Sequence, residues 1–384
     1  MPDAAVETAI AHWGPRMLQN GVDYNDFVRT TGRVDAWADW LPEWSQTADA
    51  YAQQAFREEA DEHPLTAGHA WRMASVARHF GKFVWMVDSD LAEDATWRCV
   101  EEMLHAHRLL DPTAERLTVT VDGATLAANL RRPPDPSAEI ARLDRLGSHA
   151  EGMGDSGGGQ DAQSRREKGP PVVVLIPGLD STKEEFFFLE QAFLDRGLAT
   201  VSVDGPGQGE TGLDLPIRHD YETALAPLLD QLDDRDDIDT ERLGVFGVSL
   251  GGYYAPRVAA YEPRVRAVVG LSGPYRWVDL WDDLPPMTRD TFTVKSGGGA
   301  DDDGRARAQA LDLTGVCERI EVPALYVTGE LDRLVPWKQT QEQAEHTSGA
   351  EFVCYPDGNH GASNLPAVAR PMIADWMADQ LADD

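Results

Sequence analysis

The chain runs to 384 residues, 42% of them apolar, and carries a formal charge of −32. So large an acid excess leaves no basic surface for phosphate groups, which excludes nucleic acid as a partner. No apolar run reaches the ~18 residues of a membrane-spanning helix, so no membrane partner is expected, and the length admits one large α/β unit with an appended helical region.

The first residues, MPDAAVETAIAHWG, lack the basic and apolar stretches of a secretion signal, and a cytoplasmic location is expected. Residues 1–115 then read as helical. Met73, Val76, Ala77, Phe80 and Val84 recur at helical spacing, and Trp97, Val100, Leu104 and Leu109 do so less regularly. Seven of the eleven tryptophans (Trp13, Trp37, Trp40, Trp44, Trp71, Trp85, Trp97) lie here, which marks a packed module and not a disordered arm. Pro42 and Pro64 mark helix starts or breaks.

From Arg116 the period shortens to that of a strand. Leu117–Val121, Asp122-Gly123 and residues 125–130 read as a β-hairpin with an Asp-Gly turn. Residues 134–170, rich in Gly, Ser, Asp and Arg, read as a long mobile surface insertion. Short apolar runs follow at 172–176, 199–203, 243–248, 265–271, 324–328 and 351–355. Helical patterns lie between or after them at 183–195, 219–233, 250–261, 338–346 and 366–381. Continuous Val/Ile/Leu runs separated by helices predict a parallel sheet covered on both faces. The stretch 275–312 interrupts the alternation and reads as a lid-like addition carrying Trp277 and Trp281.

Two features are spread along the chain. Cys99, Cys317 and Cys354 lie far apart without a C-x-x-C pair, so reduced, buried thiols are expected, with neither disulfides nor a zinc site. The acidic coat suits molar salt, where the Debye length falls to about 3 Å, and is read as halophilic adaptation.

The chemistry starts at Gly247-Val248-Ser249-Leu250-Gly251, which ends one of the apolar runs and opens a small-residue helix. That is a serine on a strand-to-helix elbow, a turn too tight for side chains two residues either side, which lifts Oγ above the sheet. A serine hydroxyl needs a base, and the base needs an acid to orient it. Only His346 and His360 follow Ser249. His360, just past the last strand, is the expected base, while His346 sits within a helix as a solvated residue. Asp332, past the penultimate strand, is the expected acid, with Glu330 as the alternative. The order Ser…Asp…His on an alternating α/β pattern separates this set from other convergent triads. The oxyanion that forms on carbonyl attack needs fixed donors. Those expected are the N–H of Leu250 and the N–H of Leu179 in the turn Pro177-Gly178-Leu179-Asp180, where Gly178 permits close approach. The glycine-rich corner Asp204-Gly205-Pro206-Gly207-Gln208-Gly209 has neither G-x-G-x-x-G spacing nor a Walker lysine, so it is no phosphate cradle. No metal or organic cofactor is expected.

At these residues the chain resembles the α/β-hydrolase superfamily, over residues 116–384. It is similar more narrowly to the group containing the fermentation-respiration switch esterase-like proteins, 2,6-dihydroxypseudooxynicotine hydrolase and fungal polyketide-shortening hydrolases. The narrower likeness rests on Pro177-Gly178-Leu179-Asp180-Ser181-Thr182-Lys183-Glu184-Glu185, on Asp204–Glu210 as Asp-Gly-Pro-Gly-Gln-Gly-Glu, and on the helical region before the core. It implies a mostly parallel, doubly wound sheet of about eight strands, a helical cap over 1–115 that can form a homodimer contact, and a catalytic domain over 116–384. It also implies a triad of Ser249, Asp332 and His360. A carbon–carbon cleaving member is associated with a further acid downstream of the nucleophile, where Asp279, Asp282 and Asp283 crowd. Lys183 and Glu184 read either as an ion pair supporting the oxyanion turn or as an exposed pair, and the exposed pair is the expectation.

The function expected is serine-dependent hydrolysis of a small carbonyl substrate. The bond is carbon–carbon, in a β-diketone or acyl-aromatic compound, or alternatively that of a carboxylic ester. Gly178, Asp180, Trp277 and Trp281 are the candidate substrate contacts, although the tryptophans serve core packing equally well. A non-catalytic binding protein on the same scaffold is the third reading.

Overall fold

A computed structural model describes residues 3–134, 169–299 and 301–382. The segment read as a mobile insertion lies almost wholly outside the described residues. Five helices come first: α1 (Ala4–Gln19), α2 (Tyr24–Thr31), α3 (Trp40–Ala60), α4 (Pro64–Lys82) and α5 (Ser89–Leu110). Asp3, Asp23 and Asp88 cap α1, α2 and α5 by accepting from first-turn N–H groups, and Pro64 opens α4 where no N–H is needed. Trp13, Trp40, Trp44, Trp71 and Trp85 pack with Phe80 and Phe83 into one core. Trp97 is not part of it. It is 44% exposed, because the buried face of α5 runs through Cys99, Met103 and Ala106 instead. Val84 belongs to that core from just beyond α4, at φ 32°.

The hairpin β1 (Glu115–Val121) and β2 (Ala124–Arg131) turns through Asp122 and Gly123, both left-handed at φ 50° and 86°. Six more strands follow: β3 (Pro171–Ile176), β4 (Ala199–Asp204), β5 (Asp239–Val248), β6 (Val265–Leu271), β7 (Ala324–Gly329) and β8 (Glu351–Tyr355). The eight-stranded sheet runs β1-β2-β4-β3-β5-β6-β7-β8, antiparallel at β1/β2 and β2/β4 and parallel elsewhere. Strand alternation divides the core: Val172, Val174 and Ile176 face one side, Val173 and Leu175 the other. The first side is covered by α7 (Tyr221–Asp233) and α8 (Leu250–Tyr261), the second by α6 (Phe187–Leu194) and the C-terminal helix Pro366–Gln380.

The chain leaves β3 for β4 on one side and returns to β5 on the other. A crevice therefore opens at the carboxyl ends of β3 and β5, where open α/β sheets bind their ligands. The stretch 275–312 contributes α9 (Pro286–Lys295) and α10 (Asp301–Ala308), its ends joined by the Arg276–Asp312 bridge. α11 (Trp337–Glu345) precedes β8, and α12 (Pro366–Gln380) closes the chain. No helix among the described residues is long and apolar enough to cross a membrane. Cys99 and Cys317 are buried, Cys354 half-buried, and all three are free.

Candidate active site

Ser249 sits at φ 60°, ψ −121° between β5 and α8, a conformation that costs about 1–3 kcal/mol and persists only where the surroundings enforce it. They do so with glycines. A Cβ on Gly247 would stand 2.0 Å from the Gly251 carbonyl oxygen, and one on Gly251 would stand 2.1 Å from that of Ile176. The Ser249 N–H is anchored to Leu271 O at 2.8 Å. Gly178, at the end of β3, comes so near that an added Cβ would lie 3.5 Å from Ser249 Oγ.

His360 opens a short turn after β8, and its Nδ1 lies 2.8 Å from Oδ2 of Asp332. The Asp332 side chain is wholly buried, and its other oxygen accepts the N–H groups of Leu334 and Val335, both at 2.9 Å. Gly361, next to His360, packs against Val248, the neighbour of Ser249. Ser249 and His360 line the same two cavities. Glu330 is exposed at the sheet rim, and His346 is exposed at the end of α11 and paired with Glu318, so neither reaches the site.

The turn after β3 is held from every side. Gln208 donates to Pro177 O, Lys295 Nζ donates to Leu179 O at 2.9 Å, and Arg16 of α1 pairs with Asp180 at 2.8 Å. Leu179 lines the smaller cavity together with Ser249, and Leu250 is the first residue of α8, directly after that serine.

Lys183 and Glu184 are not exposed; this corrects the expectation. Both are buried, and Lys183 Nζ meets Glu184, Asp204 and Glu210 at 2.6, 2.9 and 2.6 Å. Arg116 closes the cluster on Glu210. Burial alone would lower the Lys183 ammonium, but the charges of Asp204, Glu184 and Glu210 raise it above its ordinary value. Burial likewise opposes ionisation of Glu210, yet Arg116 and Lys183 hold its carboxyl at about 2. The three carboxylates are spaced as metal ligands could be, but the ammonium already stands among them.

The comparisons agree with this geometry. Residues 173–371 match the model of the alpha/beta hydrolase family. The 2,6-dihydropseudooxynicotine hydrolase of Paenarthrobacter nicotinovorans is 31% identical over 377 residues, 98% of this chain and 93% of that one. The chain belongs to the alpha/beta hydrolase family. A solved 2,6-dihydroxy-pseudo-oxynicotine hydrolase superposes at TM-score 0.81, covering 96% of both chains at 31% identity. A 20-hydroxy-prefusarin hydrolase of Gibberella moniliformis is 45% identical over 120 residues, 29% of this chain and 27% of that one. AbyA5, at TM-score 0.69 and 20% identity, shares the fold.

Within this hydrolase the substrate contacts anticipated from sequence separate. Asp180 lines both cavities, Gly178 the larger and Trp277 the smaller, whereas Trp281 packs against Phe292 and lines neither. Asp279, Asp282 and Asp283 point outward, the first two paired with Arg276 and Arg305. Sequence reading missed the contribution of the N-terminal helices. Arg16, Asn20 and His79 converge on Glu185, at 2.6, 2.6 and 3.0 Å, and Ser181 donates to the same carboxylate. Burial opposes the Glu185 charge, but Arg16 holds its carboxyl well below the usual range. Their one sequence signal is polar residues on otherwise apolar helix faces.

Proposed function

We propose that this hydrolase acts on a carbonyl compound through Ser249, His360 and Asp332. The observation that carries the reading is the His360–Asp332 hydrogen bond in a cavity wall shared with Ser249 on its strained elbow. With Nδ1–H donated to Asp332, the Nε2 lone pair of His360 takes the Ser249 proton. Oγ attacks the carbonyl carbon, and the resulting oxyanion accepts the N–H groups of Leu179 and Leu250. The protonated imidazole then gives its proton to the departing group. Water, deprotonated by His360 in turn, releases the acyl group from Ser249.

For the bond cleaved, likeness over the full length to a 2,6-dihydropseudooxynicotine hydrolase supports carbon–carbon hydrolysis next to a ketone. The carbanion expelled must be delocalised by a neighbouring carbonyl or an electron-rich ring. The ester reading draws on a specific observation: Asp279, Asp282 and Asp283 all face away from the cavities, so this stretch offers no extra acid to help a poor leaving group. Incubation with a p-nitrophenyl ester and with a 1,3-diketone, with products identified by mass, separates the two. Turnover of the ester alone removes the carbon–carbon reading. Ser249→Ala should lower kcat by about 10⁴-fold or more and abolish fluorophosphonate labelling; undiminished turnover overturns the mechanism, and with it brings back a non-catalytic role for this triad.

The same reading gives residues 1–115 the role of cap and of a homodimer contact, with residues 275–312 as a second lid element over the catalytic domain. The charge of −32 fits a halophilic, cytoplasmic enzyme. Thermal unfolding in ~0.1 M and in molar potassium chloride tests the halophilic part: the midpoint should rise with salt, and an unchanged midpoint ends that idea.

A further inference from the structure

The larger cavity beside Ser249 is open to solvent, and its free space together with the mouth is about 660 Å³. Phe186, Leu189 and Ile373 make one wall apolar, and two arginines stand in the rest of the lining. They differ in their partners. Arg16 is matched twice, by Asp180 and Glu185. Arg370, in the first turns of α12, donates to the Gln19 carbonyl at 3.2 Å and to the Asn20 side-chain oxygen, and no carboxylate among the described residues pairs with it. A chain with 66 acidic residues against 34 lysines and arginines has acids to spare, so an enclosed guanidinium without one leaves charge available to an incoming group. Burial pulls Arg370 down to about 10, and nearby Glu185 only partly opposes this.

We infer that Arg370 forms an anion subsite of this cavity, so that the carbonyl substrate carries a carboxylate at a distance from the bond cleaved. The inference rests on the proposed role of Ser249 and deepens it by naming the substrate class. A guanidinium offers a carboxylate a planar pair of donors, and the apolar wall accommodates the carbon chain between the carboxylate and the reacting carbonyl. The competing explanation is that Arg370 only caps the C-terminal carbonyls of α1 and ties that helix to the core. A purely structural tether would not discriminate between charged and neutral substrates.

The test compares mono-p-nitrophenyl esters of glutaric, adipic and pimelic acids with neutral p-nitrophenyl esters of equal acyl length. The wild-type enzyme should prefer at least one carboxylate-tailed ester by about tenfold or more in kcat/KM. Arg370→Met should bring that ratio to about one, whatever it does to the neutral rates, and Arg370→Lys should retain part of it. No preference in the wild type, or a preference that survives in Arg370→Met, overturns the subsite. Ser249→Ala is run beside them. If it is inactive while the preference is missing, only the subsite fails; if it turns over every ester at wild-type rates, the hydrolytic reading fails and takes the subsite with it.

Discussion

The interior of the sheet and the seam between sheet and N-terminal helices are both buried, yet they are built from opposite materials. Inside the sheet Val172, Val174, Leu175, Val245 and Val269 exclude water and nothing else is asked of them. At the seam, Lys183, Glu184, Asp204 and Glu210 form one charged cluster, and Arg16, Asn20, His79 and Glu185 form another, both set around the turn that follows β3. Apolar packing tolerates small shifts, whereas hydrogen-bonded charges fix angles and distances. The difference teaches where this protein needs a shape and where it needs a geometry: the proposed oxyanion turn stands in the charged region.

Removing one member from each region gives the sharpest contrast. Lys183→Met leaves the buried Glu184 and Asp204 without their cation, while Glu210 keeps Arg116, and should cost about 3–5 kcal/mol. Leu175→Ala should cost a similar 2–5 kcal/mol through the cavity it opens. Chemical denaturation at several pH values separates them. The Lys183→Met loss should shrink on acidification, as the stranded carboxylates take up protons, while the Leu175→Ala loss should stay constant. A constant Lys183→Met loss would mean that the cluster acts by packing alone.

Acid should then distinguish the regions in the unaltered protein. Glu210 is held at about 2, below its ordinary 4.5, and Glu185 is lowered in the same direction. The unfolded chain therefore binds more protons than the folded one across that interval. The stability these groups contribute is present above 4.5 and lost as pH falls through their folded values. Asp204 works the other way, since burial raises its carboxyl and protonation relieves it. Burial opposes the Glu184 charge, but Lys183 lowers its carboxyl as well, so among the carboxyls of the two clusters three stand against one. The denaturation midpoint should fall on acidification, and Glu210→Gln should flatten that fall. An equally steep fall in Glu210→Gln would place the acid sensitivity elsewhere.

Sequence reveals the two regions very unequally. Every strand core from 172–176 to 351–355 appears near its expected place, because period and apolar runs record burial directly. The elbow was legible for the same reason: glycines at 247 and 251 leave only one compact turn available. Asp332 and His360 could be picked by their place after strands, and the bond between them follows. Lys183 shows the limit. A lysine beside a glutamate reads as a solvated pair, since nothing local announces that Asp204 and Glu210 from another strand end will enclose it. Arg16 and Arg370 were hidden likewise, because their partners lie far away in the chain: Glu185 for one, Gln19 and Asn20 for the other. Period records how deep a residue lies; it does not record which charge it meets there.

The smallest effect expected concerns a single backbone carbonyl. Lys295 reaches Leu179 O from the end of α9, and that bond holds the residue whose N–H we propose as an oxyanion donor. Its loss should weaken the transition state more than substrate binding, so Lys295→Met should lower kcat about tenfold, or ~1.4 kcal/mol, with KM little changed. Burial pushes the Lys295 ammonium down to about 8, with Lys82 and Arg16 acting in the same direction and Asp180 and Asp204 opposing. Above that pH the group becomes an amine, with fewer protons and no charge to hold the carbonyl. The kcat of the wild-type enzyme should therefore decline through pH 8 by less than the full effect of Lys295→Met, and the decline should be absent from the variant. If the alkaline decline persists unchanged in Lys295→Met, the carbonyl tether does not set the turn, and the charged seam serves only to hold the helices on the sheet.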